Sequence, residues 1–299
     1  MAPSPPAPHA HPGRARIGRR SFVLLLVLAA GLVALAGLGL DPARLAPNQG
    51  GLDLARDFFA RAVTPALTYE DPGVPDSAPP FLVAVARRTG RTVAFAAAAM
   101  SLALGLGVGL GFFASTAWWA DETAGRRRGL GAWARRALAP SVYVLTRALI
   151  ALMRSIHELF WALIFLIALG KSDVLAAIAI SLPFAGTLAK IFSEMIDEAP
   201  RDAAHALRGA GASPLQTFFF ALVPRALPDL GAYAFYRFEC ALRASAVLGF
   251  FGYETIGLAL SQSFENLHYG EVWTYLYALV ALIAITEWWS GAIRRRLVA

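Results

Sequence analysis

Long apolar runs separated by short charged segments are the dominant pattern of this sequence. A helix of about 20 apolar residues crosses the ~30 Å hydrocarbon core of a bilayer, because each residue adds ~1.5 Å. The runs predict about six transmembrane helices, which cover residues 22–40, 92–113, 159–169, 174–192, 230–250 and 272–293. The third run is short, so we expect its helix to start before Leu159 and to include charged residues. The predicted fold class is an all-α integral membrane protein.

The segments between the runs predict the side of the membrane on which each lies. The 27 Lys and Arg residues exceed the 20 Asp and Glu residues by 7, and arginines cluster beside the ends of runs. Cytoplasmic segments of membrane proteins are enriched in Lys and Arg, which predicts that both termini are cytoplasmic. The predicted parts are a disordered basic cytoplasmic tail (1–20), an N-terminal transmembrane helix (21–40), an extracytoplasmic loop (41–84), a membrane domain (85–293) and a cytoplasmic tail (294–299). A cleaved signal peptide is the alternative for the first run.

Three connecting segments carry finer expectations. A short interfacial helix is predicted at residues 52–63, and a second one from Pro140 to Ser155. Residues 118–136 are basic and rich in tryptophan, which is typical of a cytoplasmic loop at the membrane surface. Arg87, Arg88 and Arg91 lie on the predicted outer side, against the usual distribution of charge.

Composition excludes several classes of function. The chain is 57% hydrophobic with a mean hydropathy of +0.54, which is outside the range of ordinary soluble domains. The net charge of +7 is explained by the membrane, and no nucleic-acid-binding motif accompanies it. The single cysteine, Cys240, excludes an intramolecular disulfide and a cysteine-rich metal site. Neither a catalytic residue nor a metal ligand set stands out, so we do not expect an enzyme.

Four glycines in the second run predict a close helix contact. Gly105, Gly107, Gly109 and Gly111 form two overlapping pairs of small residues four positions apart. Such pairs let two helices approach closely in lipid.

A polar stretch between the fourth and fifth runs, residues 197–216, predicts a cytoplasmic elbow of two short helices. Acids and a proline favour the start of the first helix, and two glycines favour its end. A serine followed by a glutamine three residues later predicts a capping box for the second helix. The signals in chain order are Asp197, Glu198, Pro200 and Asp202, then Gly209 and Gly211, then Ser213 and Gln216.

The fifth run holds charges inside a predicted membrane helix. Glu239 and Arg243 are one helical turn apart and can form an ion pair. A charge at the bilayer centre is costly, so it indicates either a polar path or a structural ion pair. We assign Arg237, Glu239, Arg243, Ser245 and Gly249 to the candidate translocation path, with helix packing as the alternative for the two small residues.

The elbow resembles the loop by which permease subunits of bacterial ABC importers engage their ATPase. The family pattern is Glu-Ala-Ala, three residues, Gly, then nine residues before a hydrophobic-x-Leu-Pro ending. Here His205-Ala206-Leu207, Gly211 and Ala221-Leu222-Val223-Pro224 follow this spacing, with His205 in place of glutamate. The segment Arg154–Glu158 looks like Arg-Ser-Ile-Pro-Glu of the same fold, with His157 in place of proline.

Within that superfamily the sequence is most similar to phosphonate-type permeases. The similarity is carried by Tyr236–Glu239, Arg243–Phe250 and the turn Gly252–Gly257, and it covers about residues 85–293. It implies the type I importer architecture and import of phosphonate or a related small oxyanion across a bacterial inner membrane. A permease for an amino acid or an amine, and a membrane scaffold that transports nothing, are the alternatives.

The resemblance also implies partners and coupling residues. The partners are two copies of an ATPase that holds ATP and magnesium, an extracytoplasmic binding protein, and a second copy of the permease or a related one. The residues expected to couple to the ATPase are Arg201, His205, Ala206, Leu207, Arg208, Gly211 and Pro224.

Overall fold

The computed structural model describes residues 18–39, 49–117 and 130–298, and each regular element in these ranges is helical. The α-helices are α1 (Arg19–Gly37), α2 (Gln49–Arg61), α3 (Phe81–Ala114), α4 (Leu130–Ser155), α5 (Glu158–Leu169), α6 (Asp173–Glu198), α7 (Asp202–Gly209), α8 (Pro214–Thr217), α9 (Val223–Val247), α10 (Ile256–Glu265) and α11 (Tyr269–Val298). A π-helical turn (Phe218–Leu222) joins α8 to α9, and a 3₁₀ turn (Leu248–Phe251) follows α9. The predictions for residues 1–17, 40–48 and 118–129 fall outside the described residues.

The helices account for the predicted number of spans. Four of them, α1, α3, α6 and α11, are long and apolar enough to cross a membrane. Two further spans are bent: α4 meets α5 at 88°, and the helical stretch Leu215–Phe251 meets α10 at 48°. Counting each bent pair as one span gives six, so the predicted all-α membrane fold is confirmed.

The chain divides into two compact units, residues 1–58 and 59–299. The first unit contains α1, which has no buried residue and begins at Arg19, two residues before the predicted start at residue 21. A helix that is apolar on every side and exposed along its whole length is typical of a span surrounded by lipid.

Two helices of the second unit are longer than predicted. Helix α3 begins at Phe81 rather than at residue 92, because Phe81 and Val85 are buried against Tyr275 and Ile256. Packing therefore extends this helix through the arginines that follow. The expectation that Pro140 starts an interfacial helix and that residues 130–136 form a loop is wrong, because α4 begins at Leu130 with Pro140 in its interior. A proline removes one helical hydrogen bond, and here the packing of the helix outweighs that loss.

The core of the second unit is built on the contact between α3 and α6. A Cβ atom at Gly107 would lie 2.8 Å from Leu188 Cβ, and one at Gly111 would lie 3.3 Å from the Ala189 carbonyl oxygen. Apart from the backbone of α3 itself and the adjacent residues in sequence, no atom of the described residues lies within 4 Å of a Cβ built at Gly105 or Gly109. One of the two predicted glycine pairs therefore allows the close approach of the helices.

We expect Gly107→Val to destabilise the protein by about 1–3 kcal/mol, since extra atoms in a packed contact force backbone shifts. The matched control is Gly105→Val on the exposed side of the same helix, which adds the same atoms in open space. The melting temperatures of both variants are measured by thermal unfolding in detergent. Equal melting temperatures for the two variants would contradict the packing role of Gly107.

Candidate functional site

The elbow begins with a sharp end to α6. Ala199 is extended (φ −58°, ψ 142°), as the residue before a proline usually is, and this ends α6 at Glu198. The prediction that Pro200 occupies the first helical position of the elbow is wrong, because α7 begins at Asp202. Arg201 precedes α7, and its Nη2 donates a hydrogen bond to the Asp197 carbonyl oxygen at 3.0 Å. The elbow is therefore fastened to the end of α6.

Asp197 and Glu198, which were predicted to favour the start of the first elbow helix, belong to α6 instead. The Asp197 side chain reaches the chain just after α3 instead of the start of α7. It accepts hydrogen bonds from Ser115 Oγ at 2.6 Å, Thr116 Oγ1 at 2.9 Å, and the Thr116 and Ala117 backbone N–H groups at 3.0 Å. One carboxylate thus joins the C-terminal ends of α3 and α6 at the base of the elbow.

The first elbow helix ends in a Schellman motif centred on Gly211. The Ala212 N–H donates to the Leu207 carbonyl oxygen at 3.0 Å, and the Gly211 N–H donates to that of Arg208 at 2.9 Å. Gly211 has a φ of +90°, a conformation that residues with a Cβ rarely adopt. Gly209 is the last residue of α7. The glycine that makes the turn is therefore Gly211.

The predicted capping box of the second elbow helix is confirmed. The Ser213 N–H donates to Gln216 Oε1 at 2.8 Å, and the Gln216 N–H donates to Ser213 Oγ at 3.3 Å. The helix that starts here continues through the π-helical turn into α9, with Pro224 in the first turn of α9. The elbow is therefore directly continuous with a membrane helix.

The predicted coupling residues lie on two sides of α7. His205 and Ala206 are exposed, Leu207 and Arg208 are half-buried, and Ala204 is fully buried in the core. Leu207 packs against the same core. The face that carries His205 and Ala206 is therefore available to a partner, while the opposite face anchors the helix.

A second group of predicted residues lines a cavity in the membrane domain. The cavity has a volume of about 460 Å³ and lies between the middle of α9, α6 and the bend that joins α4 to α5. Its polar lining comes from Arg237, Arg243 and Cys240 of α9, with His157 and Glu158 opposite, and Phe184 of α6 contributes an aromatic ring.

The two arginines of the cavity differ in their partners. Arg243 Nη2 lies 3.3 Å from Glu239 Oε1, so the predicted ion pair is present, and 3.6 Å from Cys240 Sγ. Arg237 stacks on the Phe184 ring, with Cζ 4.5 Å from the centroid, and its buried Nε has no hydrogen-bond partner among the described residues. A cation–π contact contributes about 0.5–2 kcal/mol. This is less than the ~2.5–3.5 kcal/mol or more that a central membrane charge costs, so Arg237 is incompletely compensated.

The bend between α4 and α5 supplies the opposite wall. His157 caps α5, with Nδ1 accepting a hydrogen bond from the Leu159 N–H at 3.4 Å. Its Nε2 lies 3.5 Å from Glu158 Oε2. His157 was not among the predicted path residues, although its position in the Arg154–Glu158 segment was the available signal.

The two small path candidates do not line this cavity. Ser245 is fully buried, and Gly249 lies in the 3₁₀ turn after α9. A Cβ at Gly249 would overlap the Leu258 backbone nitrogen, and one at Gly257 would overlap the Ala246 carbonyl oxygen. The glycines thus allow a close backbone crossing at the break before α10. A path role for Ser245 and Gly249 stays a prediction.

Arg91 is one of the three arginines whose predicted position on the outer side is unusual. Its Nη2 lies 2.8 Å from Asp173 Oδ2 at the start of α6, and its Nη1 pairs with Glu254 in the turn before α10. The arginine is therefore neutralised by two acids instead of facing the bilayer alone.

The profile of one protein family matches more than half of the chain. It is described as "Binding-protein-dependent transport system inner membrane component", and it covers residues 128–299. The matched region includes the elbow and the residues that line the cavity.

Individual relatives are named for the transport of phosphorus oxyanions. A phosphite transport system permease protein of Stutzerimonas stutzeri is 35% identical over 159 residues, which are 52% of this chain and 57% of the relative. A phosphate-import permease protein of Mycolicibacterium smegmatis is 30% identical over 159 residues, which are 53% of this chain and 30% of the relative. The chain spans little more than half the length, or less, of these two relatives.

Solved structures share the fold. The inward-facing MetNI methionine ABC transporter aligns with a TM-score of 0.59 at 21% identity, over 74% of this chain and 99% of that one. An amino acid ABC transporter aligns with a TM-score of 0.58 at 12% identity, over 72% and 95% of the two chains.

Proposed function

Because this chain belongs to the family of binding-protein-dependent transport system inner membrane components, we propose that it is the membrane-spanning permease subunit of an ATP-driven importer. The observation that carries the proposal is the continuity of the elbow with the membrane helix that lines the charged cavity. A movement of the elbow is transmitted along α8, the π-helical turn and α9. The same helix carries Arg237 and Arg243.

The elbow suits a lever because it is held at both ends. Arg201 ties its first end to α6, and its second end merges into α9. The exposed His205 and Ala206 are the contact surface for an ATPase subunit, and Gly211 permits the turn between the two helices. Two ATPase copies supply the energy by using ATP and magnesium, which this chain does not bind itself.

The proposal extends to the remaining partners, and the family description supports the dependence on a binding protein. An extracytoplasmic binding protein delivers the substrate, and a second copy of this chain or a related permease completes the complex. The protein crosses the bacterial inner membrane several times, with both termini in the cytoplasm.

The proposed substrate is phosphonate, phosphite or a related small oxyanion. The cavity carries two arginines, whose guanidinium groups match the geometry of phosphate-like anions. Arg237 has no acidic partner among the described residues, so the site favours an anion over an amine. The names of the relatives point to the same class of ligand.

Transport by the complete complex in proteoliposomes tests this function. The permease is purified with its ATPase, the binding protein is added outside, and ATP is enclosed. We expect phosphite to accumulate only with ATP inside, and methylphosphonate to compete with it while methionine does not. Competition by methionine alone would favour an amino-acid permease. A complex that contains no ATPase and accumulates nothing would favour the scaffold.

A further inference from the structure

The electrostatic difference between the two arginines indicates which one binds an anion. The charge of Arg243 is offset by Glu239, which lies one turn away and is only 14% exposed. For Arg237 the structure shows the Phe184 ring and no carboxylate within the described residues. An anion that enters the cavity therefore gains more from Arg237, because no protein carboxylate competes for it.

The opposite wall limits how tightly an anion is held. Glu158 faces the cavity from the first turn of α5, and its Oε2 lies 3.5 Å from His157 Nε2. The formal charges of Arg237, Arg243, Glu239 and Glu158 sum to zero. One local cation therefore attracts the anion, while the zero net charge keeps the binding weak enough for release. Passage through a pore requires both properties.

The volume of the cavity is compatible with a partly hydrated ligand. A water molecule takes up about 30 Å³ in the liquid, so a cavity of about 460 Å³ has room for a small tetrahedral oxyanion and several waters. The planar guanidinium of Arg237 is fixed on the Phe184 ring, which orients its donors before a ligand arrives.

We propose that this cavity is a transient binding site for a tetrahedral phosphorus oxyanion and that Arg237, not Arg243, is the residue that holds it. The assignment rests on the proposed function and adds a stopping point within the membrane domain. The Glu239–Arg243 pair shapes the site and keeps its net charge low.

The Cys240 thiol allows the binding of an anion in the cavity to be measured. It is the only cysteine of the chain, it lines the cavity, and it is partly exposed. In the purified complex in nanodiscs, a negatively charged methanethiosulfonate reagent modifies this thiol, and mass spectrometry of the Cys240 peptide gives the rate. We expect 10 mM phosphite to slow the modification at least threefold (about 0.67 kcal/mol, at 1.4 kcal/mol per tenfold change), relative to chloride at equal ionic strength.

Three variants identify the residue that holds the anion. Arg237→Gln should remove the protection by phosphite, while the double variant Glu239→Gln/Arg243→Gln should keep it. Arg225→Gln is the matched control, because it removes the same charge from the same helix about 18 Å away, at ~1.5 Å per residue, and outside this cavity. In this variant phosphite should protect Cys240 as strongly as it does in the unaltered protein.

The outcomes separate this site from the proposed function. ATP-driven uptake of phosphite without any protection of Cys240 would overturn the site and leave the importer intact. Protection that survives Arg237→Gln and disappears in the double variant would overturn the assignment to Arg237. Protection by sulfate equal to that by phosphite would overturn the restriction to phosphorus oxyanions. If the complex neither imports phosphite nor contains an ATPase, the proposed function itself fails.

Discussion

Replacing Gly211 by valine is expected to lower ATP-driven uptake by the complex about 5- to 150-fold. Gly211 has a φ of +90°, and a β-branched residue at this angle is strained by about 1–3 kcal/mol. The strain is relieved by opening the turn, which breaks the hydrogen bonds to the Arg208 and Leu207 carbonyl oxygens. A free energy of about 1–3 kcal/mol shifts the equilibrium between coupled and uncoupled complexes about 5- to 150-fold, which gives the expected loss of uptake.

Gly209→Val is the matched control for this variant. Gly209 is the last residue of α7, its φ is not positive, and beyond α7 itself no atom of the described residues lies within 4 Å of an added Cβ. Uptake in proteoliposomes and co-purification of the ATPase are measured for both variants. A Gly211→Val complex that transports as fast as the Gly209→Val complex would remove the elbow from the coupling mechanism.

Replacing Asp197 by alanine is expected to lower the free energy of unfolding by about 3 kcal/mol or more. The carboxylate accepts hydrogen bonds from four donors on Ser115, Thr116 and Ala117. Each buried donor that loses its acceptor costs about 1–3 kcal/mol, and Ser115 is fully buried while water can reach part of Thr116. The loss also frees the base of the elbow, so uptake should fall together with stability.

Glu198→Ala is the control, because it removes an acid from the adjacent, exposed position. Thermal unfolding in detergent gives the stability, and Asp197→Asn, which keeps one acceptor oxygen, should fall between alanine and the unaltered protein. If Asp197→Ala and Glu198→Ala unfold at the same temperature, Asp197 is not the structural junction described here.

Local signals in the sequence predicted local structure well. The Ser213–Gln216 capping box and the ion pair between Glu239 and Arg243 involve residues three or four positions apart, and both are present. Pro200 was wrongly assigned to a helix, because a proline both starts helices and restricts the residue before it, and here the second effect ends α6.

Long-range pairing could not be predicted from the sequence. Asp197 has the features of an acid at a helix start, yet its partners lie 80 to 82 positions earlier. The cavity likewise combines His157 and Glu158 with Arg237, and only the fold brings them together. The 88° bend between α4 and α5 places His157 and Glu158 at the cavity, and no periodic pattern of apolar residues encodes a bend angle.

The junction at Asp197 has a consequence for biosynthesis. The donors on Ser115, Thr116 and Ala117 leave the ribosome 80 to 82 residues before the carboxylate that accepts their hydrogen bonds. Chains are synthesised at about 5–20 residues per second, so these donors lack the Asp197 acceptor for roughly 4–16 s. During this interval water or the insertion machinery has to satisfy those groups, and the arrival of α6 completes the end of a helix that was made long before it.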